Sequence, residues 1–437
     1  MEFKDLKIIE PILMALKIKE YSEVTPIQEE AIPLLLGNKD ILGSAHTGTG
    51  KTAAFAIPIL QKIFLEKQEQ KSTEKKIKAL VLAPTRELAL QIYDNFIEYS
   101  KFINVNATVV YGGIKHSRQT RDLQRGVDIL VATPGRLLDL IKQRKLTLKD
   151  VDYLVLDEAD RMLDMGFIID VKKIVSMVKK DRQTMFFSAT MPKTIMNFAN
   201  EILRDPVRIE VSPVEATIDL IKQTVYYVSN KSKIKLLIKL LKQEEFKSVL
   251  IFSRTKRGAD DIVQDLNLTD IKASAIHGDK AQGDRQKVLK AFKKKETRIL
   301  VATDIAARGI DVHEVSHVIN YDLPEQPETY IHRIGRTGRA GHGGVTIAFC
   351  SPNQFNLFQQ IEKHLNMKIP MSKDNKLSLD PSKIVVAPPR KKRNSSDKKP
   401  NSNNRNNHGP RNKSGKNKSD SKSFSRNGDR QRNRRSK

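Results

Sequence analysis

Tryptophan is absent from the 437-residue chain, and cysteine occurs once, at Cys350. A single thiol cannot close an intramolecular disulfide, and the nine histidines do not cluster with other ligand residues at metal-binding spacings. A disulfide framework and a structural zinc site are therefore not expected. No apolar run approaches the roughly 18 residues a membrane span needs, and Glu2 and Asp5 precede the apolar residues of the N-terminal segment. These absences predict a soluble, cytoplasmic protein with no membrane partner.

Acidic residues are the minority, 51 against 78 Lys and Arg, for a net charge of +27. The excess is uneven. Residues 390–437 hold 18 basic and 3 acidic residues, +15 of that total, spaced by Asn, Ser and Gly with Phe424 as the only aromatic. Such a segment buries too little apolar area to offset the entropy of ordering, which predicts a disordered basic tail. It would hold RNA nonspecifically through phosphate contacts, or serve as a solubilising or localisation extension.

The chain is too long for one core, since single cores stop growing near roughly 250–300 residues. Residues 1–389 alternate short apolar strands with amphipathic helical stretches, the pattern of parallel sheets covered by helices, and the pattern occurs twice. Expected strands in the first half are 79–83, 128–132, 153–156 and 184–187; in the second, 249–252, 298–302, 317–320 and 345–349. The segment DPVRIEVSPVEATI, 205–218, has two prolines and no helical period and reads as a connection between domains. The expected organisation is an α/β fold with a first domain over 1–207, a linker over 208–218, a second domain over 219–366, an extension over 367–389 and the tail. EKQEQKSTEKK, 66–76, reads as a solvated helix end and loop.

Ligands of open α/β sheets bind beyond the carboxyl ends of strands. AHTGTGKT, residues 45–52, precedes the helical stretch AAFAIPIL and keeps the phosphate-loop pattern, except that Ala45 stands in the first glycine position. Backbone N–H groups of Ala45, His46, Thr47, Gly48, Thr49 and Gly50 would wrap phosphate oxygens at a helix N-terminus. Lys51 would reach the β and γ phosphates, and Thr52 would ligate Mg²⁺. Asp157-Glu158-Ala159-Asp160 follows the apolar run YLVL. Asp157 would hold the same Mg²⁺ through water, and Glu158 would orient and deprotonate the attacking water.

The letters DEAD joined to a phosphate loop make the chain resemble the DEAD-box ATP-dependent RNA helicases. The resemblance spans residues 3 to about 350, in family order. It includes Phe3 ahead of EYSEVTPIQ (20–28), PTRELA (84–89), Gly112-Gly113, TPGR (133–136) and SAT (188–190). In the second half it includes IFSRTK from Ile251, HGD from His277 with Gln282 and Arg285, ATDIAARGID (302–311) and HRIGRTGR (332–339). It implies two RecA-like domains facing each other across a cleft, ATP and Mg²⁺ as cofactors, and sequence-independent RNA as partner. Within a Q motif over 1–28, Gln28 would read adenine with its donor and acceptor together while Phe3 packs beside the base. Arg336 and Arg339 would be arginine fingers supplied by the second domain, with Asp311 on the ribose. Asp160, Ser188, Thr190 and His332 would couple the two ligand sites. Pro84, Thr85, Arg86, Gly113, Thr133, Gly135 and Arg136, with Thr255, Arg285 and Thr303, resemble the family's RNA contacts, on the face away from the phosphate loop.

Some positions depart from the family pattern. Glu20 stands where Gly is usual, Val24 where Pro is common, His46 at a frequent Gln, and Ala281 and Gly283 in place of Ser and Glu. The resemblance implies nonprocessive, ATP-driven unwinding or remodelling of RNA duplexes and RNA–protein complexes, with overall likeness to the bacterial RhlE-like branch. An ATP-gated clamp or scaffold in a ribosome-assembly or RNA-degradation complex is the alternative. A DNA translocase on the same two domains is a third reading, against which the Q motif and the DEAD, SAT and HRIGRTGR forms weigh.

Overall fold

The computed structural model describes residues 1–45, 48–70, 76–211, 221–307, 315–338 and 343–372. Strands such as ALVL, ILVA and YLVL have no polar alternation, as befits strands covered on both faces. Two all-parallel sheets form from them. The first has seven strands: β1 (Ile41–Ser44), β2 (Ala79–Leu82), β3 (Ala107–Val110), β4 (Ile129–Ala132), β5 (Tyr153–Leu156), β6 (Gln183–Ser188) and β7 (Val207–Glu210), in the order β3-β4-β2-β5-β6-β1-β7. The second has six: β8 (Ile221–Tyr227), β9 (Val249–Phe252), β10 (Ala273–Ile276), β11 (Ile299–Ala302), β12 (His317–Asn320) and β13 (Gly344–Cys350), in the order β10-β11-β9-β12-β13-β8.

The pleat sorts side chains to opposite faces of the first sheet. Val81, Val155, Met185 and Phe187 join one core with the helices Pro26–Leu36, Lys51–Gln70 and Arg86–Tyr99. Their strand neighbours Leu80, Leu82, Leu154, Leu156 and Phe186 join the other, with the helices Pro134–Lys142, Ile168–Met177 and Lys193–Ile202. The second sheet is likewise covered on both faces. The fold is two RecA-like α/β domains, as expected.

Two local readings change. The expected linker begins inside β7, which pairs with β1 from Ile41↔Val207 to Ser44↔Glu210. Val211 N–H then donates to the Ser44 carbonyl at 3.2 Å. VRIE buries only Ile209 fully, so this edge strand has too little apolar signal beside its prolines to be recognised alone. Residues 212–218 of the linker, 373–389 of the extension and the basic tail lie outside the described residues, as do 71–75 of the loop predicted after residue 66, where the Lys51–Gln70 helix continues to its end.

Glu20, which stands where the family usually has Gly, adopts the left-handed backbone (φ 58°) that favours glycine. A Cβ there costs roughly 1–2 kcal/mol, partly offset by the entropy a glycine loses on folding. Glu20→Gly should therefore raise stability by about 0.5–1 kcal/mol, read as a higher urea midpoint at unchanged slope. A lower midpoint would mean that the Glu20 side chain holds the turn. Among the described residues no helix is long and apolar enough to cross a membrane.

Candidate active site

Because all strands of a sheet run parallel, their carboxyl ends share one edge. On the first sheet β1 delivers the phosphate loop, β5 delivers Asp157 and Glu158, and β6 delivers Ser188; the strand order makes these three neighbours. Pro84–Arg86 after β2, Gly113 after β3 and Thr133–Arg136 after β4 occupy the other half of that edge. The expected nucleotide and RNA residues are thus separated along one sheet edge.

A cleft of about 960 Å³ is lined by Phe3, Gln28, Gly48, Gly50, Lys51, Thr52, Asp157 and Glu158 from the first domain and by Arg336 from the second. Ala45 is buried, its N–H donating to the Ser188 carbonyl at 3.1 Å, and Thr49 sits half-buried in the loop. Lys51 Nζ donates to the Ala45 carbonyl at 2.8 Å and lies 3.6 Å from Asp157 Oδ1. The lysine is buried with its charge aimed at the mouth of the loop.

Gln28 does more than face the cleft. In the capping box that starts the Pro26–Leu36 helix, its Oε1 accepts from Thr25 N–H at 2.9 Å, while Nε2 donates to the Gly50 carbonyl at 3.1 Å. One lone pair and one N–H remain for a base edge. Gly50 has φ 93°, and a Cβ there would lie 2.4 Å from Gln28 Nε2, so only glycine allows this clamp. Phe3 is buried, with its N–H donating to the Ser22 carbonyl at 3.4 Å.

Glu158 occupies the left-handed region (φ 55°, ψ 53°) before the Ala159–Asp164 helix. Its Oε2 accepts from Arg161 Nη1 at 2.6 Å, a pairing that sequence reasoning missed because nothing in the motif points to it. Among the described residues, Glu158 Oε1 and Asp157 Oδ1 are buried without hydrogen-bond partners, the latter with only the longer ion pair to Lys51. Burial pushes the Asp157 carboxyl up to about 6, against the pull of Lys51 and with a further push from Glu158. Two orphaned carboxylate oxygens beside a hydroxyl, Thr52, fit a hydrated Mg²⁺. Among the described residues no group of three or more His, Cys, Asp and Glu could hold a metal alone. The donor set therefore suits a cation that arrives with phosphates rather than one caged by protein.

The coupling residues meet. Asp160 N–H donates to Ser188 Oγ at 3.2 Å; Thr190 N–H and Oγ1 donate to Asp160 Oδ2 at 2.9 and 3.0 Å. Burial would raise the Asp160 carboxyl, but the charges of Arg161, His332 and Lys51 and the Thr190 bond bring it below its usual range. His332, one of those charges, sits on the Pro327–Ile334 helix of the second domain. In the same helix Arg333 is buried against Asp304 in a two-bond fork, at 2.6 and 2.7 Å, and against Asn320 at 2.9 Å. This anchor was also missed by sequence reading.

The expected RNA residues cluster around arginines. Thr85 and Thr255 cap helices, accepting from Leu88 and Gly258 N–H. Thr133 and Pro134 open the Pro134–Lys142 helix, and Gly135 has open space where a side chain would project. At Gly113 (φ 86°) a Cβ would lie 2.2 Å from Arg86 Nη1. Arg136 is held by Gln119 Oε1 at 2.9 Å and the Ile114 carbonyl at 3.1 Å. Arg285 instead pairs with Glu87 across the domains at 2.8 Å. Burial lowers both the Arg136 and the Arg285 guanidinium from their ordinary value, against the pull of Asp139 on the first and Glu87 on the second and with a smaller push from Arg86. Thr303 is buried after β11. His46, Thr47, Asp311 and Arg339 lie outside the described residues.

A phosphate loop and a carboxylate pair on one RecA-like domain, facing an arginine from a second, define the class of two-domain nucleoside triphosphate motors. Residues 25–198 match the family described as DEAD/DEAH box helicase, and residues 232–341 match the helicase conserved C-terminal domain. The chain belongs to the DEAD/DEAH box helicases.

It is 42% identical to the DEAD-box ATP-dependent RNA helicase CshA of Geobacillus kaustophilus over 367 residues, 84% of this chain and 77% of that protein. It is 41% identical to CshA of Bacillus subtilis over 372 residues, 85% of this chain and 74% of that protein. These relatives bear the CshA name, so they do not single out the expected RhlE-like branch. Among solved structures, Dbp5 of S. cerevisiae bound to RNA and ADP BeF3 superposes with a TM-score of 0.76 at 32% identity, covering 85% of this chain and 95% of that one. A DEAD box protein from Methanococcus jannaschii, 40% identical and covering 85% of this chain and 99% of that one, gives 0.51. The more similar sequence superposes less well.

Proposed function

We propose that this chain is an ATP-dependent RNA helicase that couples ATP hydrolysis to local unwinding or remodelling of RNA. The observation that carries the reading is the single cleft in which Lys51, Asp157 and Glu158 of one domain meet Arg336 of the other. The nucleotide and the arginine belong to different domains, so hydrolysis needs the cleft shut.

In this mechanism Gln28 offers its remaining lone pair and N–H to adenine while its other bonds hold Thr25 and Gly50, tying base recognition to the shape of the phosphate loop. Lys51 exchanges the Ala45 carbonyl for phosphate oxygens. Mg²⁺, held by Thr52 and through water by Asp157, would neutralise phosphate charge. Glu158, steadied by Arg161, orients a water and takes its proton, and Arg336 meets the charge that develops on the departing γ-phosphoryl group. Asp160, Ser188, Thr190 and His332 carry the state of that site to the Arg86, Arg136 and Arg285 cluster. RNA phosphates would bind there without regard to base, and preference over DNA would come from the 2′-hydroxyl. The cell's cytoplasm is the setting, with a branch identity nearer to the CshA-named relatives and a ribosome-assembly or RNA-degradation complex as the partner assembly.

Steady-state ATPase rates with RNA and DNA oligonucleotides of identical sequence test the reading. RNA should stimulate and DNA should not. Equal stimulation by both would redirect the assignment to a translocase without sugar preference.

A further inference from the structure

The Arg86–Tyr99 helix buries Leu88, Ala89, Ile92, Phe96 and Tyr99 in its own domain, and Glu87, Gln91, Asp94 and Glu98 lie at the three- and four-residue spacings that share another face. That acidic face borders the far end of the nucleotide cleft. The opposite wall comes from the second domain's Gln282–Lys293 helix, with Gln286, Leu289, Lys290 and Lys293, and from the following Lys294. An acidic helix face and a basic one thus oppose each other across the domain boundary.

At the inner end the two faces already touch. Glu87 Oε1 lies 2.8 Å from Arg285 Nη2, with both side chains only 8% exposed. Gln282 Nε2 donates to the same carboxylate at 3.3 Å, and Arg86 Nη1 donates to Gln282 Oε1 at 3.4 Å. At the outer, solvent-exposed end the charges differ in their obligations. Glu98 pairs with Lys19 of its own domain, and Lys19 also lies over the Tyr21 and Tyr99 rings at 5.6 and 5.7 Å. Asp94 of the first domain and Lys293 of the second line the same cleft; burial and the charge of Glu98 raise the Asp94 carboxyl above the usual range, while Lys293 and Lys19 oppose the shift.

We propose that Asp94 and Lys293 are positioning residues whose attraction across the outer cleft helps set the shut arrangement that brings Arg336 to the phosphate loop. The inference rests on the helicase reading. Neither residue belongs to the phosphate loop or to the Asp157–Glu158 pair, so they act on the population of the shut state rather than on the chemical step. Exposed pairs of this kind are worth up to about 1 kcal/mol, roughly a fivefold change in an equilibrium, and reversing one charge replaces attraction by repulsion.

The test compares the intact chain with Asp94→Lys, Lys293→Glu and the double exchange. Affinity for a short oligouridine RNA is measured with and without AMPPNP, and the ratio of the two reports the coupling of ATP and RNA sites. Each single reversal should lower that ratio about threefold to tenfold and raise the RNA concentration for half-maximal ATPase, with kcat at saturation nearly unchanged. The double exchange should restore the ratio to within about twofold, since the pair is then remade with its signs reversed. The milder Asp94→Asn should fall between the wild type and Asp94→Lys. Unchanged ratios in both single variants, or losses that simply add in the double variant, would overturn the proposal while leaving the helicase reading intact. A wild-type chain whose RNA affinity ignores AMPPNP would remove both.

Discussion

Replacing Glu158 by Gln will slow RNA-stimulated ATP hydrolysis by about 10²–10⁴-fold, the usual loss when a positioned general base is removed. ATP and RNA affinities should stay near wild type, because neither Lys51 nor the arginine cluster depends on Glu158. The amide keeps the shape of the side chain and can still meet Arg161 through its oxygen, so the strained backbone at Glu158 is not asked to rearrange. Single-turnover hydrolysis with RNA in excess separates the outcomes. A variant turning over within about tenfold of wild type would mean that another group takes the proton.

Arg336→Ala should cost a comparable amount for a different reason. A guanidinium that meets the developing γ-phosphate charge is worth roughly 10³–10⁵ in rate, and Arg336 is the arginine that lines the cleft with Lys51 and Glu158 among the described residues. The loss should fall on kcat, with the ATP concentration for half-maximal rate little changed, since the contact strengthens in the transition state. Arg336→Lys should recover only a small part, because an ammonium cannot reproduce the two-pronged geometry. A loss confined to the half-maximal ATP concentration would recast Arg336 as a ground-state binding residue.

The two variants illustrate what the sequence made legible. The phosphate loop, the DEAD tetrad and HRIGRTGR are contiguous, and each sits where a strand or helix ends, so local pattern was enough to find them and to anticipate the paired RecA-like sheets. Interactions between distant segments left no such trace. Glu87 and Arg285 are 198 positions apart, and nothing in PTRELA or in the run after HGD says that they pair. Gln28 was expected from its motif to face a base, yet its bond to the Gly50 carbonyl appears only once the cap of one helix is set beside the phosphate loop. Arg161 is only three residues from Glu158, but the contact depends on the left-handed turn at Glu158, which no residue type there announces. β7 escaped because half of its four side chains face water.

That edge strand constrains the whole machine. With Val207–Glu210 stitched to β1 and Val211 bonded to Ser44, only residues 212–220 separate the first sheet from the second. At about 3.3–3.6 Å per residue, so short a tether holds its two ends within roughly 40 Å. An opened second domain therefore stays at a local concentration on the millimolar scale around its own first domain. Reclosure is an intramolecular event, and activity per molecule should be indifferent to dilution and to neighbouring copies.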